Sequence, residues 1–145
     1  HLEEALRPHC VEVNRPHEPE LKRLTHVVHL LTPVQGNLRT ERSALELAAD
    51  LHPTPAVGGR PLNVAREALA RLEPHERGWY AGAVGWMDGS GDGAFWVALR
   101  SALLVGNEAR VYAGGGIVRG SQPDAELHET EVKAQSILRA LGVRA

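Results

Sequence analysis

Aromatic side chains are scarce in this sequence: one phenylalanine, two tyrosines and three tryptophans make up only 4% of 145 residues. No basic run occurs, and no aromatics interleave with the basic residues, so the stacking-and-phosphate pattern of a nucleic-acid binder is absent. A dominant charge is lacking too. Sixteen basic against eighteen acidic residues give −2, which sets up no field toward a polyanion or a membrane surface. No apolar run approaches the roughly 20 residues that a membrane-spanning helix needs. The opening "HLEEALRPHC" is too charged and interrupted for a signal peptide. The single cysteine, Cys10, excludes an internal disulfide and fits a reducing, cytoplasmic setting.

What is present suits one modest globular domain, with 43% hydrophobic residues. The chain starts on His1 rather than methionine, with Leu2, Ala5 and Leu6 already at helical spacing. That start suggests a fragment or processed product with more protein upstream. "VNRPHEPELKR" reads as a proline-bearing connection, and "LTHVVHLLTP" as a strand closed by Pro33. Thr40 is the expected N-cap of the helix "ERSALELAADL". "HPTPAVGGRP" holds three prolines and two glycines in ten residues and is expected to be a loop without regular structure. Asn63 is placed to cap the helix "VAREALARLE", which ends at Pro74.

From there the period switches from helical to two. "GWYAGAVGWMD", "GAFWVALRSALLV" and "EARVYAGGGIV" predict three antiparallel strands, joined by "GSGD" and "GN" turns. A last helix, containing "PDAELHETEVKA", closes the chain. Helices grouped around an antiparallel sheet make the fold α+β rather than a βαβ winding.

Three features carry possible chemistry. On the last helix, Glu126, Glu129 and Lys133 fall within an arc of roughly 60°, beside an apolar stripe of Leu127, Ala134, Leu138 and Leu141. On the helix alone, a surface Glu–Lys pair at i, i+4 with carboxylates at the positive end of the dipole is the readier account. The alternative is a divalent cation held by the two carboxylates, with the lysine gripping an anionic ligand. In the second predicted strand, alternation makes Arg100 the lone charge on the face of Trp96, Ala98, Ala102 and Leu104. It needs a structural salt bridge, an escape to solvent, or a ligand carboxylate. "YAGGGIVRGS" fits neither a dinucleotide fingerprint nor a Walker loop, and implies close approach of backbone to an anion or a packed helix. Eight histidines do not make a zinc site: His26 and His29 would point to opposite strand faces, and Cys10 has no cysteine partner. Locally, His29 reads as a core histidine.

Taken in order, "LHPTPAVGG", "RGWYAGAVGW", "ALRSAL", "YAGGGIV" and "ELHETEVK" resemble the carboxy-terminal part of the chorismate-utilising enzymes, nearest to the isochorismate synthase branch. The resemblance covers nearly the whole chain from His29 onward. It implies an antiparallel sheet with packed helices inside the larger α/β sandwich shared with anthranilate synthase component I, with residues 1–145 forming the C-terminal portion. It also implies a Mg²⁺ (magnesium) cofactor, chorismate as substrate, and isomerisation to isochorismate in menaquinone or siderophore biosynthesis. Glu129 matches the direct Mg²⁺ ligand and Glu126 its companion. Lys133 matches the lysine near the ring carboxylate, while Tyr80, Arg100 and the amide of Gly114 match the pocket for the enolpyruvyl carboxylate. His29 matches a histidine beside the ring, and Ala56 lies in the loop flanking the position of nucleophilic attack. Family members that continue to an aromatic product commonly carry threonine at the position of Ala56, which speaks against a salicylate or anthranilate synthase. The alternative of another class is a noncatalytic carboxylate-binding module. In the family, the general base, the general acid and a further Mg²⁺ ligand lie upstream of the matched region, so the partner implied is the N-terminal half of the same enzyme.

Overall fold

The computed structural model describes residues 1–23 and 28–143, so His26 and the first part of the predicted strand "LTHVVHLLTP" lie outside the described residues. The chain divides into two compact units, His1–Thr54 with Trp86–Ala94 and Pro55–Gly85 with Phe95–Ala145. The secondary structure mixes helices with antiparallel strand pairs, an α+β fold. No described helix is long and apolar enough to cross a membrane.

In the first unit, helix α1 (Leu2–Leu6) leads into strands β1 (Cys10–Asn14), β2 (Glu20–Arg23), β3 (Val28–Leu31) and β4 (Gln35–Leu38), and then helix α2 (Ala44–Leu51). β1 pairs antiparallel with β4 and β2 with β3, so the expected connection "VNRPHEPELKR" contains the end of one strand and the whole of another. Only short segments on either side of Pro16 and Pro19 are extended, and a two-residue period is not visible in four or five residues. Cys10 is buried against Gly36, where any added Cβ would come within 2.6 Å of the cysteine sulfur. The helix cap is Ser43 rather than Thr40. Ser43 Oγ accepts from the Glu46 amide and the Glu46 carboxylate accepts from the Ser43 amide, a capping box that satisfies two otherwise orphan donors. The amide of Ala44 donates to the Gly91 carbonyl in the Asp88–Asp92 turn, which is itself drawn together by the Asp88 carboxylate.

The second unit begins with a single helical turn, α3 (Pro55–Gly58), inside the segment expected to be irregular, followed by α4 (Leu62–Leu72). Pro61, not Asn63, occupies the N-cap position of α4, and no side chain caps it. β5 (Ala83–Met87) and β6 (Gly93–Val97), whose Trp86–Met87 and Gly93–Ala94 ends are counted with the first unit, pair with each other. So do β7 (Ser101–Val105) and β8 (Glu108–Tyr112), and α5 (Pro123–Ala140) packs beside β8. The expected continuous strand from Gly93 to Val105 is thus broken. Ala98 bonds back to Ala81 and Gly82, the Leu99 amide turns onto the Val97 carbonyl, and Arg100 takes φ +49°. That left-handed conformation ends the pleat, because a side-chain-bearing residue there cannot continue a strand. The placement of Arg100 in mid-strand is therefore corrected: it sits at a kink between two strands.

Only two hydrophobic residues among those described are buried, Cys10 and Ala81. Trp79 is 86% exposed and Ile117 73%. Exposed apolar surface of that extent is characteristic of interaction and ligand-binding surfaces.

Candidate functional site

Helix α5 starts at Pro123, whose fixed φ and missing N–H suit the first helical position. Asp124 and Glu126 in its first turn favour the positive end of the helix dipole. Its half-buried side comprises Glu126, Thr130, Lys133, Ala134, Ile137 and Leu138. Leu127, expected in the apolar stripe, is 60% exposed. Glu126 and Lys133 lie on the half-buried face itself, and Glu129 at its edge.

Lys133 and Glu126 meet the glycine segment that follows β8, and Glu129 is joined to it through Lys133. Lys133 Nζ lies 2.5 Å from Glu129 Oε1 and donates to the Gly114 carbonyl at 3.2 Å. Ser121 Oγ donates to Glu126 Oε1 at 2.5 Å. A Cβ on Gly115 would stand 3.0 Å from Glu126 Oε2, and one on Gly114 2.9 Å from the Tyr80 hydroxyl. Glycine at both positions lets the backbone pass between a carboxylate and a phenol that a side chain would displace. The close approach inferred for "YAGGGIV" is to these two groups.

Lys133 holds the Glu129 carboxyl below its ordinary range, chiefly through the hydrogen bond, and the positive charge of Arg100 adds to the effect. Arg100 is exposed, and among the described residues no salt bridge or hydrogen bond engages its guanidinium. Of the three explanations for this arginine, a structural salt bridge is absent from the described residues. Tyr80 stacks on Tyr112 with ring centroids 5.4 Å apart and planes at 18°, an offset arrangement that fixes the ring while leaving the hydroxyl at Gly114.

The sequence-predicted residues Tyr80, Arg100, Gly114, Glu126, Glu129 and Lys133 all belong to the second unit, as does Ala56 on α3, which is exposed. His29 belongs to the first unit, on β3 opposite Lys22, and is exposed rather than in a core. Sequence reasoning passed over Ser121, Tyr112, Glu73 and Arg77. A Ser–x4–Glu separation spanning a helix start has no regular signature, and the Glu73–Arg77 pair straddles Pro74, where the helical i, i+4 rule has no standing.

The donor set suits a hard cation. Glu126 and Glu129 offer carboxylate oxygens one helical turn apart; Lys133 engages one oxygen of Glu129, and Glu126 Oε2 faces side-chain-free backbone at Gly115. Magnesium accepts such a pair because it keeps several waters and needs only one or two protein carboxylates beside a ligand's own. Among the described residues no group of three or more His, Cys, Asp or Glu converges as a metal cage.

The profile of chorismate binding enzymes matches residues 1–142. The chain belongs to the chorismate binding enzyme family. It is 45% identical over 133 residues to the isochorismate synthase MenF of Bacillus subtilis (strain 168), covering 92% of this chain and 28% of that protein. Among solved structures it is similar to a Bacillus anthracis protein provisionally named a 2,3-dihydroxybenzoate-specific isochorismate synthase, DhbC. There the TM-score is 0.93 at 44% identity, covering 99% of this chain and 38% of the other. Anthranilate synthase component I of Streptococcus pneumoniae matches at TM-score 0.83 and 32% identity, covering 92% of this chain and 31% of its own. The chain therefore spans roughly a third of the length of these relatives.

Proposed function

We propose that this family member forms the metal- and carboxylate-binding part of an isochorismate synthase, which converts chorismate to isochorismate with Mg²⁺. The observation that carries the reading is the convergence of Tyr80, Lys133 and Glu126 on the Gly114–Gly115 backbone, with Glu129 held by Lys133 and within the influence of the Arg100 charge. Isochorismate synthases among the relatives support the choice within the family.

Chorismate is a dicarboxylate, and the unit offers two kinds of anion recognition. Arg100 has a planar fork that matches a carboxylate in a bidentate way, and the Tyr80 hydroxyl can donate beside it. Lys133 is a point charge already held between Glu129 and the Gly114 carbonyl, able to turn part of its donor capacity to a second carboxylate. Glu126 and Glu129 would hold Mg²⁺, which when bound polarises the conjugated carboxylate of the ring. The isomerisation adds water at one ring carbon while the original hydroxyl leaves from another, and the double bonds shift. The residues of this chain bind and orient the two carboxylates for that exchange; the water and the departing hydroxyl need a general base and a general acid besides.

Ala56 supports the isochorismate product over an aromatic one, because its methyl offers no hydroxyl to orient a departing enolpyruvyl group. Ala56→Thr in the full-length enzyme is expected to yield some pyruvate alongside isochorismate, measured by product chromatography. Isochorismate alone at undiminished rate would remove that role. The reading as a whole is tested by incubating the full-length protein with chorismate and Mg²⁺ and identifying the product. Isochorismate is expected; salicylate, anthranilate in a parallel incubation supplied with ammonium, or unchanged chorismate would refute it.

A further inference from the structure

Arg77 is engaged on three sides, and none of its partners belongs to the groups discussed for substrate or metal except one. Its Nε lies 2.8 and 3.1 Å from the two Glu73 carboxylate oxygens, and its Nη2 2.6 Å from Oε1. Its Nη1 donates to the Val57 carbonyl at 2.9 Å. Its guanidinium carbon stands 5.9 Å from the centre of the Tyr80 ring. Val57 follows Ala56 on α3, and Tyr80 stands at the Gly114 backbone, so a single side chain touches both segments.

The local backbone shows why such a tie is needed. Residues 77–82 form turns rather than a helix or strand, with Gly78 at φ +55° and Ala81 at φ +64°. Tyr80 is kept there by one backbone bond, its amide donating to the Arg77 carbonyl at 2.9 Å, and by its stack on Tyr112. α3 is a single turn, too short to hold its own position. Segments of this kind take their geometry from side chains that cross between them. Arginine suits the task because its five N–H groups lie in one rigid plane, so two edges can be occupied while the face lies against a ring. Lysine, with three donors on one flexible atom, cannot hold a carboxylate fork, a carbonyl and an aromatic face together.

We propose that Arg77 is a positioning residue that sets the Ala56-bearing turn and the Tyr80 ring against each other, and so fixes one wall of the substrate pocket. Glu73 orients it: the fork raises the affinity of the guanidinium for its proton and holds the Glu73 carboxyl below its ordinary range, each through the mutual hydrogen bonds. The inference rests on the isochorismate synthase reading. The bland alternative is that Arg77 only staples the end of α4 to the chain that follows it.

The two differ in kinetics. In the full-length enzyme, Arg77→Lys is expected to raise the KM for chorismate by about tenfold, with kcat within about twofold of wild type, since a displaced wall weakens uniform binding. Glu73→Gln keeps the Val57 and Tyr80 contacts but loosens the fork, and is expected to raise KM by a smaller factor, about threefold. A staple acts otherwise: less folded enzyme lowers the apparent kcat and leaves KM unchanged, an outcome that overturns the proposal. Should Arg77→Lys fail to fold, Glu73→Gln decides alone, a raised KM supporting the clamp and an unchanged one refuting it. Wild-type enzyme that forms no isochorismate refutes the functional reading instead, and the assigned role of Arg77 with it.

Discussion

In the first unit, Arg42 Nη1 lies 2.6 Å from the Asp50 carboxylate and 2.6 Å from His9 Nδ1, and His9 Nε2 lies 3.2 Å from the same carboxylate. In the second unit, Lys133 reaches one oxygen of Glu129 and the Gly114 carbonyl, while Arg100 meets no carboxylate among the described residues. Both clusters are built from a few ionisable groups, and they close differently. Because a guanidinium only donates, His9 Nδ1 accepts from Arg42, and the Asp50 carboxylate lies within ion-pair distance of both, so each member of the first cluster faces the other two. The second cluster leaves donors and acceptors over. A closed ring of charges is sufficient for a role in the fold, whereas an open one has groups to spare for a ligand.

The widest gap between the clusters should appear in the 145 residues studied by themselves. The closed cluster needs nothing more. Glu126 and Glu129 supply two carboxylates on a helix, and the resemblance assigns proton transfer to residues upstream. The isolated chain is expected to bind Mg²⁺ feebly and to form no isochorismate, because the ion dehydrates reluctantly and each missing proton transfer typically contributes 10²–10⁴-fold. Calorimetric titration with Mg²⁺ beside a chorismate assay checks this. Tight stoichiometric binding, or measurable product, would mean that the open cluster is complete as it stands.

Next in size is Arg100→Ala in the full-length enzyme. Loss of a charge-assisted bidentate contact costs about 2–5 kcal/mol, roughly 30- to 5,000-fold in chorismate affinity. Alanine inherits the same left-handed backbone, so the thermal midpoint should hardly move. If the variant instead unfolds with KM unchanged, Arg100 belongs with the closed charges, and the contrast between the units fails.

How far the sequence alone reaches can be judged residue by residue. Helix α5 and the Glu129–Lys133 pair follow from helical periodicity, since both ends of each contact lie within one turn. The α+β class follows from the switch of period after Pro74. Arg100 was identified for a reason that does not hold: alternation assumed an unbroken strand, and nothing in "WVALRSAL" announces a φ of +49° at a non-glycine residue. The helix cap at Ser43 was legible, because Ser43 and Glu46 have capping-box spacing, yet Thr40 was favoured as the residue opening the apolar pattern. His9 could not be paired with Arg42 by any local rule, the two being 33 residues apart in the chain. The glycine segment was readable as a close approach, but its partners Tyr80 and Glu126 came only with three dimensions.

The closed cluster itself gives a smaller effect. Asp50→Ala should lower stability by about 1 kcal/mol, the scale of a charged hydrogen bond discounted for side chains that are 40% and 22% exposed. Urea unfolding measures it. The KM for chorismate should stay within about twofold, and a rise comparable to that of Arg100→Ala would show that the first unit also serves the ligand.

The Glu73–Arg77 fork asks whether the second unit contains a self-sufficient pair of its own. Its side chains are 35% and 30% exposed, and the Arg77 hydrogen bonds depress the Glu73 carboxyl below 4.5. A carboxylate whose folded pKa is lowered binds fewer protons in the folded state than in the unfolded one over that interval, so stability rises with pH there. The contribution is fully present above about pH 4.5, where the unfolded carboxylate is already ionised, and fades as pH falls through the depressed folded value. For a pair so exposed it amounts to about 0.5–1 kcal/mol. Other carboxylates titrate in the same range, so the informative quantity is a difference: wild type minus Arg77→Gln, by urea unfolding at pH 6 and again near pH 3. That difference should shrink by about the amount named as Glu73 takes up its proton. A difference that stays constant across the interval would mean that the fork contributes no charge-dependent stability, and that what Arg77 adds to the fold comes from its contacts with Val57 and Tyr80.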